Sequence, residues 1–592
     1  MTRLFNDPAA FADEMTDGFV AAHAHRVRAV PGGVVRSTAT PPGRVAVVVG
    51  GGSGHYPAFA GLVGPGLADG AVVGNVFASP SARQVTTVAR AVDRAAGDGG
   101  GILLTYGNYA GDCLNFDAAQ DELRAAGLAV ETVRVTDDIF SAPPTERDKR
   151  RGIAGDLVVF KIAGAAAAEG RTLAEVTALA RRANDRCYTM GVAFSGCTLP
   201  GASTPLFDVP AGRMAIGLGI HGEPGFAEVD LPTADGLADL LVDRLLDERP
   251  ADAGTRAAVL LNGLGSVKNE ELFVVYGRVA RRLAAAGVAV VAPEVGELCT
   301  SFDMAGVSLT LAWLDDDLER LWLAPADAAG FHRGTVALGP VEAGPVATAG
   351  AEPEQHGPQW RFLAVQPAET PVADAASRLA AATAVEVLTA IEGTIDAHAD
   401  ELGRIDAVAG DGDHGIGMQR GATAAATAAR VAYERGAGVG SLLTAAAEAW
   451  AGRAGGTSGA LWGIALRRIG ETLGDAGGPT PVTMALALRA ARDGICAAGG
   501  AGPGDKTMVD ALIPLDVAYA AAAGDGASAT DAWDAAASAA EKAADATRNL
   551  LPRKGRARPH AERSLGTPDA GAVSLSLIAR TVHSVLIERN TR

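Results

Sequence analysis

The chain has 592 residues, enough for two or more domains, and is 48% hydrophobic but only 20% charged, which excludes a disordered polyelectrolyte. A formal net charge of −18 gives no overall attraction to nucleic acid or to an anionic membrane. Five scattered cysteines without a C-x-x-C pair, a start lacking a signal-peptide core and no uninterrupted apolar run of bilayer length lead us to expect a reducing cytoplasm and no membrane partner.

Residues 1–330 alternate short apolar runs with amphipathic stretches. Residues 45–49, 101–105, 258–261 and 288–291 read as buried strands, and 83–96 and 270–286 as helices. Such alternation predicts an α/β domain with largely parallel sheets, in two sub-domains dividing near residues 185–195. Residues 331–375 are rich in Pro and Gly with little period and read as a linker. From 376 to 592 strand signals vanish. Alanine- and leucine-rich stretches at 376–398, 419–434, 440–452, 458–474, 482–497, 507–523, 527–549 and 570–588 predict an all-α domain of about eight helices.

Three places in the first domain carry chemistry. The strand at 45–49 runs into Gly50-Gly51-Gly52-Ser53-Gly54-His55. These glycines do not form G-x-G-x-x-G, which excludes a dinucleotide loop; they suit either close backbone approach to a small polar ligand or a tight crossover. Asp112, in Asn108-Tyr109-Ala110-Gly111-Asp112, suits a helix N-cap or, at the end of a parallel strand, a general base. His221 lies among Gly219, Gly222 and Gly225, beside Glu223. It is either structural or, with the glycines leaving room for a ligand, a nucleophile towards a carbonyl.

The second domain opens with Asp406, then Gly410-Asp411-Gly412-Asp413-His414-Gly415. Close carboxylates repel unless a cation holds them, and hard oxygens favour Mg²⁺ or Ca²⁺; a solvated Asp/Gly turn is the alternative. The EF-hand pattern is absent. Gly455-Gly456-Thr457-Ser458-Gly459 precedes a helix and suits a phosphate, or simply a capped helix start. Gly504-Asp505-Lys506-Thr507-Met508 places a cation beside another helix start, which also suits an anion. The Walker pattern is absent, which excludes a P-loop enzyme.

Taken together, GGGSGH at 50–55, NYAGD at 108–112, GIHGEPG at 219–225, TSFDMAG at 300–306, GDGDHG at 410–415, GGTSG at 455–459 and GDKTMVDAL at 504–512 resemble, nearly end to end, the fused ATP-dependent form of the dihydroxyacetone kinase family. The resemblance implies an α/β ketose-binding domain (1–330) and an eight-helix ATP- and Mg²⁺-binding domain (376–592). It implies a ketose held as a hemiaminal on His221, with His55 and Asp112 around the hydroxyl that receives phosphate and Gly52, Ser53 and Gly54 against the substrate. Asp406, Asp411 and Asp413 would hold Mg²⁺. His414, Gly455, Gly456, Thr457, Ser458, Gly459, Thr507 and Met508 would line the nucleotide. A homodimer is implied as well.

Departures from the family pattern fall at Tyr56, Asn75, Gly107, Ala110, Met214 and Ala215, which we place around the substrate. They resemble the branch that acts on four-carbon ketoses. The stretches 555–559 and 566–571 also depart, near the expected nucleotide. The expectation is an ATP-dependent kinase of a terminal hydroxyl on a short-chain ketose, with D- or L-erythrulose ahead of dihydroxyacetone. The alternatives are FAD-AMP lyase (cyclising) chemistry and a non-catalytic ketose-sensing regulator.

Overall fold

The computed structural model describes residues 2–96, 99–217, 219–221, 223, 225–335, 373–408, 410, 412–554 and 562–591. The chain forms two units, Met1–Val365 and Gln366–Arg592.

In the first unit, helix α1 (Phe11–Ala22) precedes a sheet of β1 (Val27–Val30), β2 (Gly33–Arg36), β3 (Ala46–Ser53), β4 (Gly70–Val76), β5 (Ile102–Gly107) and β6 (Val130–Val135). Its order is β1-β2-β4-β3-β5-β6; β4, β3, β5 and β6 run parallel, and β1 and β2 form an antiparallel edge. Side chains alternate across a strand. Ala46 and Val48 therefore meet α2 (Ala82–Ala96) and α3 (Ala110–Ala125). Val47 and Val49 face the opposite core, which contains α4 (Asp156–Ala168) and part of α5 (Leu173–Asp185).

A second sheet follows, from β7 (Cys187–Ser195), β8 (Arg213–Ile216), β9 (Ala227–Asp230), β10 (Arg256–Gly265), β11 (Ala289–Val290), β12 (Glu294–Gly296) and β13 (Ala305–Trp313). Helices α6 (Ala234–Asp247) and α7 (Asn269–Ala285) cover one face. Helix α8 (Asp316–Leu323) and a small hairpin of β14 (Ala326–Asp327) and β15 (His332–Arg333) complete the unit.

Here the expectation of largely parallel sheets fails. The run β10-β13-β7-β8-β9 is antiparallel throughout, and only β11 and β12 pair with β10 in parallel. The reason is burial. With α6 and α7 on one face and the α4 core on the other, the central strands β10, β13 and β7 are buried on both sides, so they show the continuous apolar runs of a parallel sheet. The chain leaves α5 for the second sheet at β7, inside the stretch 185–195, but the two sheets share α4. Its residues Leu157 to Ala167 are buried in one core that includes Val47 and Leu103 of the first sheet and Leu260 and Ala312 of the second. The beginning of the expected linker packs on this unit, with Phe331 buried and His332–Arg333 paired to Ala326–Asp327; residues 336–372 lie outside the described residues.

The second unit contains α9 (Ala375–Asp406), α10 (His414–Glu434), α11 (Val439–Ala454), α12 (Gly456–Leu473), α13 (Pro481–Gly499), α14 (Met508–Gly524), α15 (Ala529–Ala546) and α16 (Ala570–Thr591). Each helix packs on the next, and α16 returns to α9, closing a ring. Small side chains allow close approach: Ala532, Ala536, Ala537, Ala540 and Ala544 form a buried stripe on α15. Helix α10 starts five residues earlier than the 419–434 pattern, because Gly415 weakens the helix signal while removing a Cβ that would run into the Ala399 carbonyl of α9. Helix α16 is long and apolar enough on average to cross a membrane, although Arg580 interrupts its apolar run, and Ala572, Leu575, Ile578 and Ala579 belong to the bundle core.

Gly164 gives a test of the shared layer. A Cβ there would lie 2.5 Å from the Leu67 Cα, so Gly164→Ala sets a helix-propensity gain of about 1 kcal/mol against overlap with backbone. Overlap should win, and denaturant titration is expected to show the first unit destabilised by roughly 1–3 kcal/mol. An unchanged or raised midpoint would show that α4 can slide.

Candidate active site

Two histidines far apart in sequence meet in the first unit. His55 follows the glycine turn after β3, and its Nδ1 donates to the Thr300 carbonyl at 2.9 Å. His221 donates from Nδ1 to Glu223 Oε1 at 3.0 Å, and its backbone N–H donates to Oε2, also at 3.0 Å. With both Nδ1 atoms donating, the two Nε2 atoms face each other at 3.0 Å. One proton held between them turns lone-pair repulsion into a hydrogen bond.

The surroundings are dry. His55 and His221 are buried, Phe77 stacks on His55 at 4.9 Å, and Tyr109 stands edge-on to His221 at 4.6 Å. Burial raises the Tyr109 phenol well above its usual range, so it stays neutral. Glu223 is compensated by Arg151 at 3.7 Å, and Arg151 in turn donates to Asp138 Oδ2 from Nε (3.0 Å) and Nη2 (2.8 Å). Burial opposes the Arg151 charge, yet Asp138 and Glu223 hold it above its ordinary value. The Glu223 carboxylate is thus fixed in place, and with it the His221 tautomer.

Asp112 is buried in the first turn of α3. The N-cap alternative is corrected: Tyr109 takes that position, because the strand ends at Gly107 and the helix starts at Ala110. The first turn of α3 sets this carboxylate at the positive end of the helix dipole. Gly52 and Gly54 make room for protein rather than for open space: a Cβ at Gly52 would press on Ala78 N at 2.7 Å, and one at Gly54 on the Phe77 and Phe302 rings, also at 2.7 Å. The Ser53 hydroxyl donates to Gly74 O at 2.5 Å. The glycine loop does border a cavity of about 440 Å³, but Phe11, Phe19, Phe59 and Phe302 make it apolar and neither histidine lines it. A polyol has few partners there.

In the second unit the up-and-down order brings the ends of α9, α11, α13 and α15 and the starts of α10, α12, α14 and α16 to one end of the ring. Contacts between those starts confirm it. His414 Nε2 lies 3.0 Å from Ser574 Oγ, and its Nδ1 lies 3.4 Å from Ser458 Oγ. A Cβ on Gly571 would touch the Met508 Cβ at 3.3 Å. Four helix N-termini converge, each with unpaired N–H groups and a positive dipole end, which suits a polyanion. Gly455 and Gly456 both have positive φ, +63° and +61°, and a Cβ on Gly456 would meet nothing within 4 Å.

Asp406 ends α9 and accepts from Gly412 N–H at 2.9 Å, and Asp413 is the residue before α10. Asp411 lies outside the described residues. Among the described residues no three His, Cys, Asp or Glu side chains form a metal cluster. That donor set still fits Mg²⁺ on a nucleotide, since Mg²⁺ takes one or two carboxylates and fills its shell with phosphates and water. Thr507 caps α14, accepting from Val509 N–H, while Asp510 accepts from Thr507 N–H. Lys506 is engaged within the protein: its Nζ donates to Leu550 O, Ser564 O and Ser564 Oγ, tying down the segment before α16, and its charge is felt by Asp569.

The Dak1 domain model matches residues 17–330 and the DAK2 domain model residues 408–584. Among solved structures, the dihydroxyacetone kinase from C. freundii in complex with AMP-PNP and Mg²⁺ is 29% identical, with a TM-score of 0.51, covering 98% of this chain and 99% of that chain. The chain belongs to the dihydroxyacetone kinase family. It is a kinase, a phosphotransferase acting on an alcohol. An L-erythrulose kinase of Pectobacterium atrosepticum is 56% identical over 99% of this chain and 97% of its own length. A D-erythrulose kinase of Mycolicibacterium smegmatis is 53% identical, covering 98% of each.

Several departures from the dihydroxyacetone kinase pattern lie elsewhere than expected. Met214 is packed beneath α6 and Ala215 in the core shared with α4, on opposite faces of β8, because neighbouring strand residues point opposite ways. Tyr56 is 45% exposed at the rim of the apolar cavity. Arg151, Asp138 and Phe77 were not legible as site residues, the paired carboxylates Asp137 and Asp138 after β6 being their local signal; Thr300 lies in the TSFDMAG motif at 300–306 that carried part of the family resemblance. Asp569 was read only as part of a departing stretch. It caps α16 by accepting from Ala572 N–H at 2.7 Å. Burial, then the charges of Asp406 and Asp510, push its carboxyl up to about 7.

That shift makes a pH prediction. The unfolded Asp569 ionises near 3.8, the native one near 7, so the native state holds the extra proton between those values. Stability from this group is full below about 4, falls as pH rises through the window, and is level above about 7. Asp569→Asn keeps the cap without the charge. Without nucleotide or metal it should melt higher than the parent chain at pH 8, by an increment that shrinks towards pH 4. A pH-independent increment would contradict the charge argument.

Proposed function

We propose that this dihydroxyacetone kinase family member is an ATP-dependent erythrulose kinase that phosphorylates a terminal hydroxyl. The observation that carries the reading is His221, with Nδ1 fixed on Glu223 and Nε2 turned to His55; full-length similarity to two erythrulose kinases supports the substrate. A ketose entering between the imidazoles would replace their contact. His221 Nε2 forms a bond to the carbonyl carbon, the C=O π pair moves to oxygen, and that oxygen takes the proton shared with His55. Glu223 stabilises the charge left on the ring, through Nδ1–H. Glycerol, which has no carbonyl, cannot be captured. The bond fixes the chain of the sugar, so orientation supplies much of the rate. Asp112 then accepts the proton of the terminal hydroxyl as that oxygen attacks phosphorus.

Asp406 and Asp413, with Asp411, would hold Mg²⁺ on the ATP phosphates, where the ion neutralises charge on the transferring group. The N–H groups at Gly456, Thr457, Ser458 and Met508 would orient the phosphates; Gly455, Gly459 and Thr507, whose N–H groups are paired within the protein, would line the nucleotide, with His414 positioned between Ser458 and Ser574. A cytoplasmic homodimer belongs to the same reading; sedimentation should give twice the 59.7 kDa chain mass.

The test is Mg²⁺- and ATP-dependent ADP release with D-erythrulose, L-erythrulose, dihydroxyacetone, glyceraldehyde and glycerol. One erythrulose should be preferred and glycerol inert. His221→Ala should abolish ketose turnover, and Asp112→Asn should lower it about 10²–10⁴-fold, with the fold intact. Near-normal turnover in His221→Ala would sink covalent capture. Silence with all five compounds would overturn the kinase assignment; cyclic FMN from FAD, or ketose binding alone, would then decide between the alternatives.

A further inference from the structure

We propose that a second cavity in the first unit, separate from the histidine pair, binds the phosphate monoester of a small polyol and through it tunes ketose capture. The cavity measures about 460 Å³ and is lined by Arg147, Arg150, Arg244 and Arg249 with Asp247 and Glu248. That volume suits a small metabolite. Four guanidiniums face two carboxylates, although the whole chain carries a net charge of −18. The local sign is reversed, and arginine is the side chain best matched to phosphate oxygens.

The existing partners show which charges remain. Arg150 and Glu248 neutralise each other through Nη1 (3.2 Å) and Nη2 (2.9 Å), and the fully buried Arg150 also donates from Nε to Ala142 O. Arg147 lies over the Tyr188 ring at 4.3 Å and donates to the carbonyls of Asn184 and Cys187. Arg249 lies over the Trp313 ring at 4.5 Å and donates to Gly254 O. Backbone carbonyls satisfy N–H groups without cancelling a full charge. Arg244, in the last turn of α6, makes no hydrogen bond or ion pair among the described residues, and nor does Asp247, although the two stand three apart on one helix. The cavity therefore offers guanidiniums held flat by aromatic rings, one uncommitted guanidinium and one uncommitted carboxylate. A phosphate dianion answers the arginines. Asp247 repels a bare anion but accepts hydrogen bonds from hydroxyls, so a phosphorylated polyol suits the set better than phosphate alone.

The same backbone serves the histidine site. Arg150 precedes Arg151, which is paired with Glu223, the carboxylate that orients His221. Asn108 Nδ2 donates to the carbonyls of Asp148 (3.0 Å) and Arg150 (2.8 Å), fastening this segment to the start of the loop that leads to Asp112. A ligand drawing on Arg147, four residues before Arg151, would move this segment and with it Arg151 and Glu223. The effect on ketose capture rests on the kinase reading; the binding does not.

Calorimetric titration of the full chain with glycerol 3-phosphate, inorganic phosphate and glycerol tests the site. Glycerol 3-phosphate has no carbonyl and cannot be captured by His221. It should bind, glycerol should not, and inorganic phosphate should bind more weakly. Arg244→Ala should weaken glycerol 3-phosphate at least tenfold and Arg244→Glu abolish it; both changes are exposed and leave the fold intact. Asp247→Asn should narrow the preference for the ester over phosphate. In ADP-release assays the ester should change the ketose KM of the parent chain but not of Arg244→Glu, whose basal turnover stays unchanged. No binding to the parent chain, or equal binding to Arg244→Glu, overturns the proposal. Phosphate binding as tightly as the ester, unaltered by Asp247→Asn, overturns the polyol specificity. Loss of all ketose turnover in the parent chain would sink the kinase reading and leave the binding result standing.

Discussion

The arrangement of the two histidines depends on one buried carboxylate. Glu223 receives both the backbone N–H and the ring Nδ1–H of His221, and Arg151 and Asp138 extend the row of charges inward. Removing an ionised carboxylate from water costs several kcal/mol, so it persists only where hydrogen bonds and an opposite charge offset the loss. In return the imidazole has one tautomer and one direction. Nε2 has nowhere to point except towards His55, which the Thr300 carbonyl fixes in the same manner. The aromatic walls strengthen each of these interactions by excluding water.

The helical unit meets a different demand with backbone alone. An even number of antiparallel helices in a closed ring places alternate N-termini at one end, so four positive dipole ends gather there. Lys506, the cation nearest that end by sequence, is engaged with carbonyls instead. The carboxylates Asp406, Asp413 and Asp569 stand at the same helix ends, where like charges repel and Asp569 is held protonated further up the pH scale.

Much of this architecture is legible in the amino-acid order. Period and composition separate a strand-bearing half from an alanine-rich helical half, because alternation with a period of two and stripes with a period of 3.6 survive whatever the partner. Strand direction does not survive. A strand covered on both faces is apolar throughout whether its neighbours run parallel or antiparallel, which is why the β10-β13-β7 sheet was read wrongly. Helix ends were also missed. Gly415 lowers local helix propensity, yet its lack of a Cβ is what lets α10 lie against α9.

By itself, then, the sequence determined the order of the two halves, the absence of dinucleotide and P-loop patterns, the family resemblance and the candidacy of His221, since each rests on residues adjacent in the chain. Only the tertiary structure decided partnership. His55 and His221 are separated by 166 positions, and His55 and Thr300 by 245, so no local pattern could record their contacts. Asp569 reaches the neighbourhood of Asp406 only because α16 closes the ring onto α9. Met214 and Ala215 point into packed cores because the register of β8 assigns alternate residues to opposite faces. Chemistry is carried by side-chain identity, which a sequence states; geometry is carried by packing between distant segments, which it states only through the fold.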